Sequence, residues 1–276
     1  MFNSLKFKVI LFGFIFTFFS SFGQSYFLGL FNSSIREALS ITHGQFGSIY
    51  ASATLCSSLL LIWVGKKIDD VNIFKFAFFV TVLLSFACFF FSRITSVFLL
   101  FVAIFLMRFS GQGMMSHTAS TTISRYFTRT RGKALSISWF GLSSAEFIMP
   151  VLMVYLLTII DWQNLWLIFS ITVLIVLPIA SFLLIKNLNL DSREANDENI
   201  KEVEIKQWKR IEVIKDYRFY IISSNMLAMP WIFTGFAVFQ SFVQTSKGWG
   251  PYVIAQSFMS YSIFSVLTLF LSGFLI

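Results

Sequence analysis

Charged residues are scarce in this sequence. They make up 12% of the 276 residues, about half the share found in an average soluble domain. Cysteine and histidine occur twice each, too few and too scattered for a disulfide framework or a clustered His/Cys metal site. The sequence has no glycine-rich phosphate loop and no serine nucleophile with a neighbouring base. We therefore predict that the protein is not an enzyme and uses no cofactor.

Apolar residues are abundant and are arranged in blocks. They make up 57% of the chain, and the mean hydropathy is +0.77. Each block has about twenty residues, the length that a helix needs to cross a hydrocarbon core of roughly 30 Å. The eight blocks lie near residues 8–31, 45–64, 72–92, 96–124, 133–157, 163–185, 219–243 and 252–276. This pattern predicts an all-α, polytopic bundle of transmembrane helices in a lipid bilayer.

Basic residues lie mainly in alternate polar segments. Seventeen of the 21 lysines and arginines lie at the N-terminus or in the segments after the second, fourth and sixth blocks, and three lie in the other segments. Cytoplasmic loops carry an excess of Lys and Arg, so the N-terminus is predicted to be cytoplasmic, in a plasma or inner membrane. The net charge of +8 is explained by this topology and does not indicate nucleic-acid binding.

The longest polar segment divides the chain into two parts. Residues 187–218 contain 7 basic and 8 acidic side chains, and we predict a charged cytoplasmic loop there. Its early part is expected to lack regular structure, and its later part is expected to form a short helix on the membrane surface. Residues 1–186 then form a six-helix transmembrane domain, and residues 219–276 begin a second one.

Short motifs lie at the ends of the predicted helices. The segment after the second block reads Gly65-Lys66-Lys67-Ile68-Asp69-Asp70, the fourth block contains Arg108-Phe109-Ser110-Gly111-Gln112-Gly113, and the fifth begins with Arg131-Gly132-Lys133-Ala134. In order and spacing these motifs resemble the major facilitator superfamily, whose members have two six-helix halves joined by a cytoplasmic loop. Asp70 and Asn72 stand where the family's loop motif has a basic residue and a glycine.

The resemblance implies secondary active transport of a small organic solute by alternating access, with protons or a counter-solute as the coupling partner. The junction before the fifth block is most similar to the monocarboxylate and oxalate/formate-type exchangers. The family's loop motif is carried here by Gly65, Asp69, Arg131 and Gly132.

Family members have twelve helices, so eight blocks imply a C-terminally truncated chain with an N-terminal half and the first two helices of the C-terminal half. Two alternatives are an inactive truncated remnant and a genuine eight-helix membrane protein resembling a channel or receptor.

Two charged side chains lie inside predicted helices: Arg108 in the fourth and Glu146 in the fifth. A charge at the bilayer centre costs roughly 2.5–3.5 kcal/mol on insertion scales, so each needs an explanation. Their depths differ by about 8 Å at the usual helical rise, and we expect an ion pair or shared polar network facing a central cavity. In the functional interpretation Arg108 attracts an anionic solute and Glu146 takes up a proton. In the alternative the pair is static and orients two helices.

Other polar and aromatic residues are candidates for lining this cavity. Gln112 lies one turn after Arg108 and shares its helix face, whereas His117 lies on the opposite face and is expected to pack near the cytoplasmic end. Each further candidate also fits a simple contact between helices. These candidates are Gln24, Tyr26, Tyr50, Thr54, Trp139, Asn225, Trp231, Gln240, Gln256 and Tyr261.

Overall fold

The computed structural model describes residues 4–127, 130–186 and 210–275. These residues form α-helices joined by short turns, and a π-helix, Arg108–Met115, connects α6 to α7. In chain order the helices are α1 (Ser4–Ser20), α2 (Ser25–Leu30), α3 (Asn32–Leu39), α4 (His43–Val64), α5 (Ile73–Phe91), α6 (Val97–Met107), α7 (Ser116–Tyr126), α8 (Arg131–Leu156), α9 (Trp162–Ile185), α10 (Arg210–Lys215), α11 (Tyr217–Val238), α12 (Gln240–Lys247) and α13 (Pro251–Leu275).

Eight segments of the described chain are long and apolar enough to cross a membrane. The predicted all-α bundle with eight transmembrane helices is therefore confirmed. We number these segments as spans one to eight: Leu5–Gly23, His43–Asp69, Ile73–Phe91, Val97–Tyr126, Arg131–Leu156, Trp162–Ile185, Tyr217–Val238 and Pro251–Leu271.

The length of the first apolar block suggested one continuous helix, but the structure shows a break in it. Helix α1 ends at Ser20, a single 3₁₀ turn follows at Ser21–Gly23, and Gln24 has an extended backbone with φ −79° and ψ 152°. Helix α2 then starts at Ser25. We call residues 21–24 the first-span break.

The first-span break lies directly against the π-helix of the fourth span. A Cβ atom placed on Gly111 would lie 2.7 Å from the backbone nitrogen of Gly23 and 2.8 Å from its Cα atom. A Cβ on Gly23 would likewise collide with backbone atoms of the fourth span. Two glycines therefore allow the backbones to touch at this point.

Helix α1 lies in the middle of the bundle, where it packs against α7, α8 and α9. Small residues allow the close approach to α8: the space beside Gly141 is filled by the carbonyl of Phe14. The Thr17 hydroxyl donates to the Ser138 carbonyl over 2.6 Å. The central position of α1 means that its break at Gly23 is buried within the six-helix part.

The remaining helices surround this centre. Helices α5 and α9 form a pair in which Ser85 and Ser170 each donate to the other's carbonyl oxygen, over 2.9 and 2.8 Å, and α4 packs on α6 and the π-helix. The seventh and eighth spans attach to the first six because α11 packs on α2 and α13 packs on α8.

Residues 187–209, which hold most of the predicted charged loop, lie outside the described residues. Helix α10 follows, and the Asp216 carboxylate then caps α11 by accepting a hydrogen bond from the Arg218 backbone over 2.9 Å. The domain boundaries given above stay a prediction.

Candidate functional site

Arg108 begins the π-helix of the fourth span. A π-helix has i→i+5 hydrogen bonds and a wider turn than an α-helix, and such segments occur frequently at functional sites. Eight residues, Arg108–Met115, adopt this conformation, and they include the Gly-Gln-Gly sequence that follows Arg108. The widened turn lies beside the first-span break. Two irregular backbone segments therefore meet in the middle of the bundle, around one charged side chain.

The Arg108 side chain is 6% exposed and is held by the first span. Its Nη1 atom donates to the carbonyl oxygen of Gly23 over 2.9 Å and to the hydroxyl of Ser25 over 3.3 Å. The guanidinium carbon lies 5.3 Å from the centre of the Tyr50 ring, within the range of a cation–π contact. Arg108 thus satisfies a carbonyl oxygen that the first-span break leaves without a helical partner.

Ser25 connects Arg108 to two further spans. Its hydroxyl accepts a hydrogen bond from the Tyr50 hydroxyl over 2.9 Å, and it donates to Thr234 of the seventh span over 3.5 Å. One hydroxyl has one proton to donate and two lone pairs, so these contacts and the one from Arg108 use its full capacity. Ser25 is therefore the centre of a network joining the first, second, fourth and seventh spans.

Thr234 was not among the predicted cavity residues. Ser25 lies within the predicted cavity-lining stretch Gly23-Gln24-Ser25-Tyr26. The available signal was a small polar residue immediately after the point where the chain leaves a helix. Thr234 has no such signal, because threonines are common in transmembrane helices and bond readily to their own backbone.

One donor of the Arg108 guanidinium is unpaired. Its Nε atom is buried and has no hydrogen-bond partner among the described residues. An unpaired buried donor of this kind costs roughly 1–3 kcal/mol, more where the group is charged. A guanidinium binds a carboxylate with two parallel N–H donors, so the unpaired Nε–H is suited to an anionic group once a movement of the surrounding helices gives that group access.

Glu146 lies on the other side of the first span, in α8. It is 6% exposed, and its carboxylate interacts electrostatically with the hydroxyl groups of Tyr26 and Tyr261. It forms no hydrogen bond with any described residue. Ser21 also lies near the Tyr26 hydroxyl, yet neither oxygen has a partner with hydrogen-bond geometry in the described part of the chain.

The predicted ion pair between Arg108 and Glu146 is therefore wrong for this structure. The two side chains form no ion pair within the described ranges. Ser25 faces Arg108 and Tyr26 faces Glu146, as expected for consecutive residues of α2 that point in directions about 100° apart. The first span separates the charges, which depth along the helices alone could not reveal.

A family model supports the assignment that the motifs suggested. The Major Facilitator Superfamily model matches residues 13–276, a range that includes all eight spans except the start of the first. This chain belongs to the major facilitator superfamily. It is an integral membrane protein with the fold of a membrane transporter, which agrees with its not being an enzyme. No curated protein matches it. The similarity to monocarboxylate and oxalate/formate-type exchangers stays a prediction.

Two of the predicted cavity residues, Gln24 and Gln112, lie at the first-span break, and two others lie on the second and fifth spans. Gln24 is half-buried at the break itself, and the backbone nitrogen of Gln112 lies against Gly23. Thr54 lies one turn from Tyr50, and its hydroxyl has no partner among the described residues. Trp139 is half-buried on α8. Their predicted role in binding solute stays a prediction.

The predicted residues of the seventh and eighth spans are more scattered. Trp231 is 81% exposed, Gln256 is exposed, and Asn225 donates to the Ile221 carbonyl within its own helix over 2.8 Å. The structure gives none of these three a hydrogen bond to the network around Ser25. Tyr261 packs against the Phe233 ring, with ring centres 5.0 Å apart, and lies near Glu146.

Gln240 joins the first and seventh spans instead of lining an open cavity. The amide of Gln240 is buried and donates to the Tyr26 carbonyl over 2.9 Å, and Asn32 donates to the Val238 carbonyl over 2.7 Å. The carbonyl of Val238 is free to accept because α11 ends there and α12 starts after Phe239. These two side chains bond the segment that follows the first span to the residues at the end of the seventh span.

The loop motif joins the opposite ends of the second and fourth spans. Asp69 forms an ion pair with Arg125, which also donates to the Ile68 carbonyl over 3.2 Å. His117 lies 2.9 Å from the Gly65 carbonyl through its Nε2 atom. This contact agrees with the packing role expected for His117.

The other two residues of the loop motif lie at the start of the fifth span. Arg131 is exposed and donates to the Phe127 carbonyl over 3.4 Å. Gly132 follows it in the first turn of α8. Asp69 thus pairs with Arg125, one of the junction's arginines, rather than with Arg131.

Proposed function

We propose that this member of the superfamily is a secondary active transporter for a small anionic organic solute, coupled to protons or to a counter-solute. The observation that carries the proposal is the Arg108 guanidinium, which is buried at mid-span and has an Nε atom without a partner among the described residues. A fixed positive charge in a membrane span is expensive, and such charges commonly mark substrate pathways.

The way in which Arg108 is held supports anion binding. Gly23 and Ser25 engage Nη1, and the Tyr50 ring lies 5.3 Å from the guanidinium carbon. The partners found for the guanidinium are neutral, so its charge is not cancelled by a neighbouring carboxylate. An anionic solute would supply the missing negative charge.

Glu146 supports a coupling role. Its carboxylate is buried in a span, has no hydrogen-bond partner among the described residues and lies beside two tyrosine hydroxyls. A carboxylate that is not locked by a basic side chain is free to exchange a proton during a transport cycle. Glu146 does not release Arg108 from an ion pair in this proposal, because no such pair is present; any coupling runs through the first span that lies between them.

The contacts between the first and seventh spans support alternating access. Two side-chain amides, those of Asn32 and Gln240, form these contacts by donating to backbone carbonyls. Each such hydrogen bond contributes about 1 kcal/mol net, so this end of the bundle can open at a modest cost. The charge distribution predicts that this end faces outward. Opening it, while the loop-motif end closes, would expose Arg108 and Glu146 to alternate sides.

A second interpretation is favoured by the Gly23 contact. Arg108 donates to a carbonyl that the first-span break leaves free, so its role could be to hold the broken helix in place. In this interpretation Arg108 is structural and the protein transports a neutral solute or none.

The experiment that separates these interpretations is a binding screen on the purified, reconstituted full chain. Thermal shifts are measured with small monocarboxylates and dicarboxylates, with their neutral amides and with organic cations. We expect carboxylates to stabilise the wild type and to lose about tenfold or more in affinity in Arg108→Lys. Arg93→Lys is the matched control, because Arg93 is exposed and also lies over an aromatic ring, that of Phe89, at 5.7 Å.

Stabilisation by the amides equal to that by the carboxylates would contradict the anion proposal. So would unchanged carboxylate affinity in a folded Arg108→Lys protein.

A further inference from the structure

A groove lies between the fifth and eighth spans, lined by residues of α8 and α13. Its volume is about 300 Å³, twice that of a 150 Å³ apolar cavity known to hold benzene. Its walls are formed by two phenylalanines and one isoleucine of α8 and by three aliphatic side chains of α13. Three serines complete the lining. The lining residues are Phe140, Ser143, Ser144, Phe147, Ile148, Ser262, Ile263, Val266 and Leu267.

The serines do not make the groove polar. Ser144 donates to the Phe140 carbonyl over 2.8 Å, and Ser262 donates to the Met259 carbonyl over 2.8 Å. Ser143 pairs with Ser265 across the helix interface over 3.4 Å. Hydroxyl groups that bond to their own helix or to each other need no further partner. The groove therefore offers small side chains and a mainly apolar surface, with the hydroxyl protons of Ser144 and Ser262 already engaged.

The depth of the groove limits what can fill it. Residues 140–148 lie at least about 12 Å from either end of α8, and residues 262–267 lie at least about 12 Å from either end of α13. Both helices are transmembrane spans, so the groove lies near the middle of the hydrocarbon layer. Water is disfavoured in an apolar cavity, and lipid headgroups do not reach this depth.

Leaving the groove empty would also carry a cost. A void deprives the side chains around it of dispersion contacts. The groove opens from a packed helix–helix interface, since α8 and α13 are in extensive contact and the Phe140 and Phe270 rings lie 6.4 Å apart beside it. A flexible apolar chain entering from the bilayer could fill it while touching both helices.

We propose that the methyl-terminal part of a phospholipid acyl chain binds in this groove and bridges the fifth and eighth spans. This site is separate from the Arg108 and Glu146 region and does not depend on the proposed function. The bound chain adds apolar contacts to an interface that joins the first six spans to the last two.

The test is photolabelling of the full chain in vesicles of phosphatidylcholine that carries a diazirine near the methyl end of one acyl chain. After irradiation, adducts are mapped by peptide mass spectrometry. We expect adducts on residues 140–148 and 262–267 to exceed those on the lipid-facing surface of α5, where Phe78, Phe79 and Phe86 are exposed. Equal labelling of the three regions would overturn the proposal.

Two variants sharpen the test. Ser144→Leu fills the groove and should lower its labelling severalfold, because the added side chain occupies space that the acyl chain would take. Ser58→Leu is the matched control, because Ser58 is exposed on the second span and donates to its i−4 carbonyl over 2.9 Å, as Ser144 does. Phe147→Ala enlarges the groove and should raise the labelling, which keeps the proposal testable should Ser144→Leu fail to fold.

Two outcomes would overturn the proposal: unchanged groove labelling in both groove variants, or cross-links showing that another segment of the chain fills the groove.

Discussion

Arg108 and Glu146 lie against different faces of the first span, and their surroundings differ. Arg108 is integrated into the fold: it bonds to Gly23 and Ser25, and Ser25 in turn bonds to Tyr50. Glu146 is equally buried, at 6% exposure, yet it has no hydrogen bond to any described residue. Burial alone therefore does not tell whether a charged side chain supports the structure.

The difference follows from the chemistry of each side chain. The first-span break leaves a carbonyl oxygen at Gly23 that needs a donor, and Arg108 supplies it. Glu146 lies four residues before Pro150, so its own backbone carbonyl also lacks the usual helical donor, but a carboxylate is an acceptor and cannot supply one. We expect changes at Arg108 to affect both folding and transport, and changes at Glu146 to affect transport alone.

The largest effect is expected from Arg108→Gln. The variant loses the charge and the donor to the Gly23 carbonyl, so we expect loss of solute uptake and destabilisation by roughly 2–4 kcal/mol. Uptake into proteoliposomes and thermal unfolding are the measurements, with Arg93→Gln as the control. Full thermal stability in Arg108→Gln would show that the Gly23 contact does not support the fold.

Glu146→Gln should abolish the pH dependence of uptake and reduce its rate by about tenfold or more, because the neutral amide cannot exchange a proton. The side chain keeps its size and forms no hydrogen bond to a described residue in the wild type, so the unfolding temperature should stay unchanged. Uptake is measured from pH 5 to 8 in the same vesicles. Normal pH-dependent transport by this variant would rule out the coupling role.

Gly23→Ala tests the contact of the first-span break with the π-helix. The added Cβ would collide with the backbone of the fourth span, and we expect destabilisation of about 1–3 kcal/mol. Gly235→Ala is the matched control, since no atom lies within 4 Å of its added Cβ, and it should be neutral or slightly stabilising. Equal unfolding temperatures for the two variants would mean that the break relaxes easily.

The smallest effect is expected from removing single tyrosine hydroxyls. Tyr50→Phe loses the hydrogen bond to Ser25 and should destabilise the protein by about 1 kcal/mol. Tyr26→Phe removes a buried hydroxyl without a partner among the described residues, so stability should stay equal or rise. The pair is compared by thermal unfolding. A larger loss in Tyr26→Phe would indicate that its hydroxyl has a partner, with Ser21 and Glu146 as the candidates.

The sequence was a good guide to the spans and a poor guide to how side chains meet. Eight apolar blocks gave eight spans because the length of an apolar run is a local property. Burial of Arg108 and Glu146 also followed, since both lie within such runs. Their predicted pairing was wrong because it used depth alone, whereas the position of the first span between them depends on packing.

The break after the first span's helix α1 was likewise missed, as was the end of the seventh block's helix at Val238. The first block is apolar throughout apart from small and polar residues such as Gly23 and Gln24, which helices often contain. Whether the backbone leaves the helix at Gly23 depends on Gly111, which is distant in sequence and close in space. A donor for the freed carbonyl is also required, and Arg108 supplies it.

By itself the sequence determined the number and approximate positions of the spans, the membrane setting and the family, because hydrophobicity and short motifs are read along the chain. The tertiary structure decided which polar groups are satisfied. Hydrogen bonds depend on distances of about 3 Å between groups from different helices, and these distances arise when the helices pack. The network around Ser25 and the unpaired Glu146 carboxylate are both products of that packing.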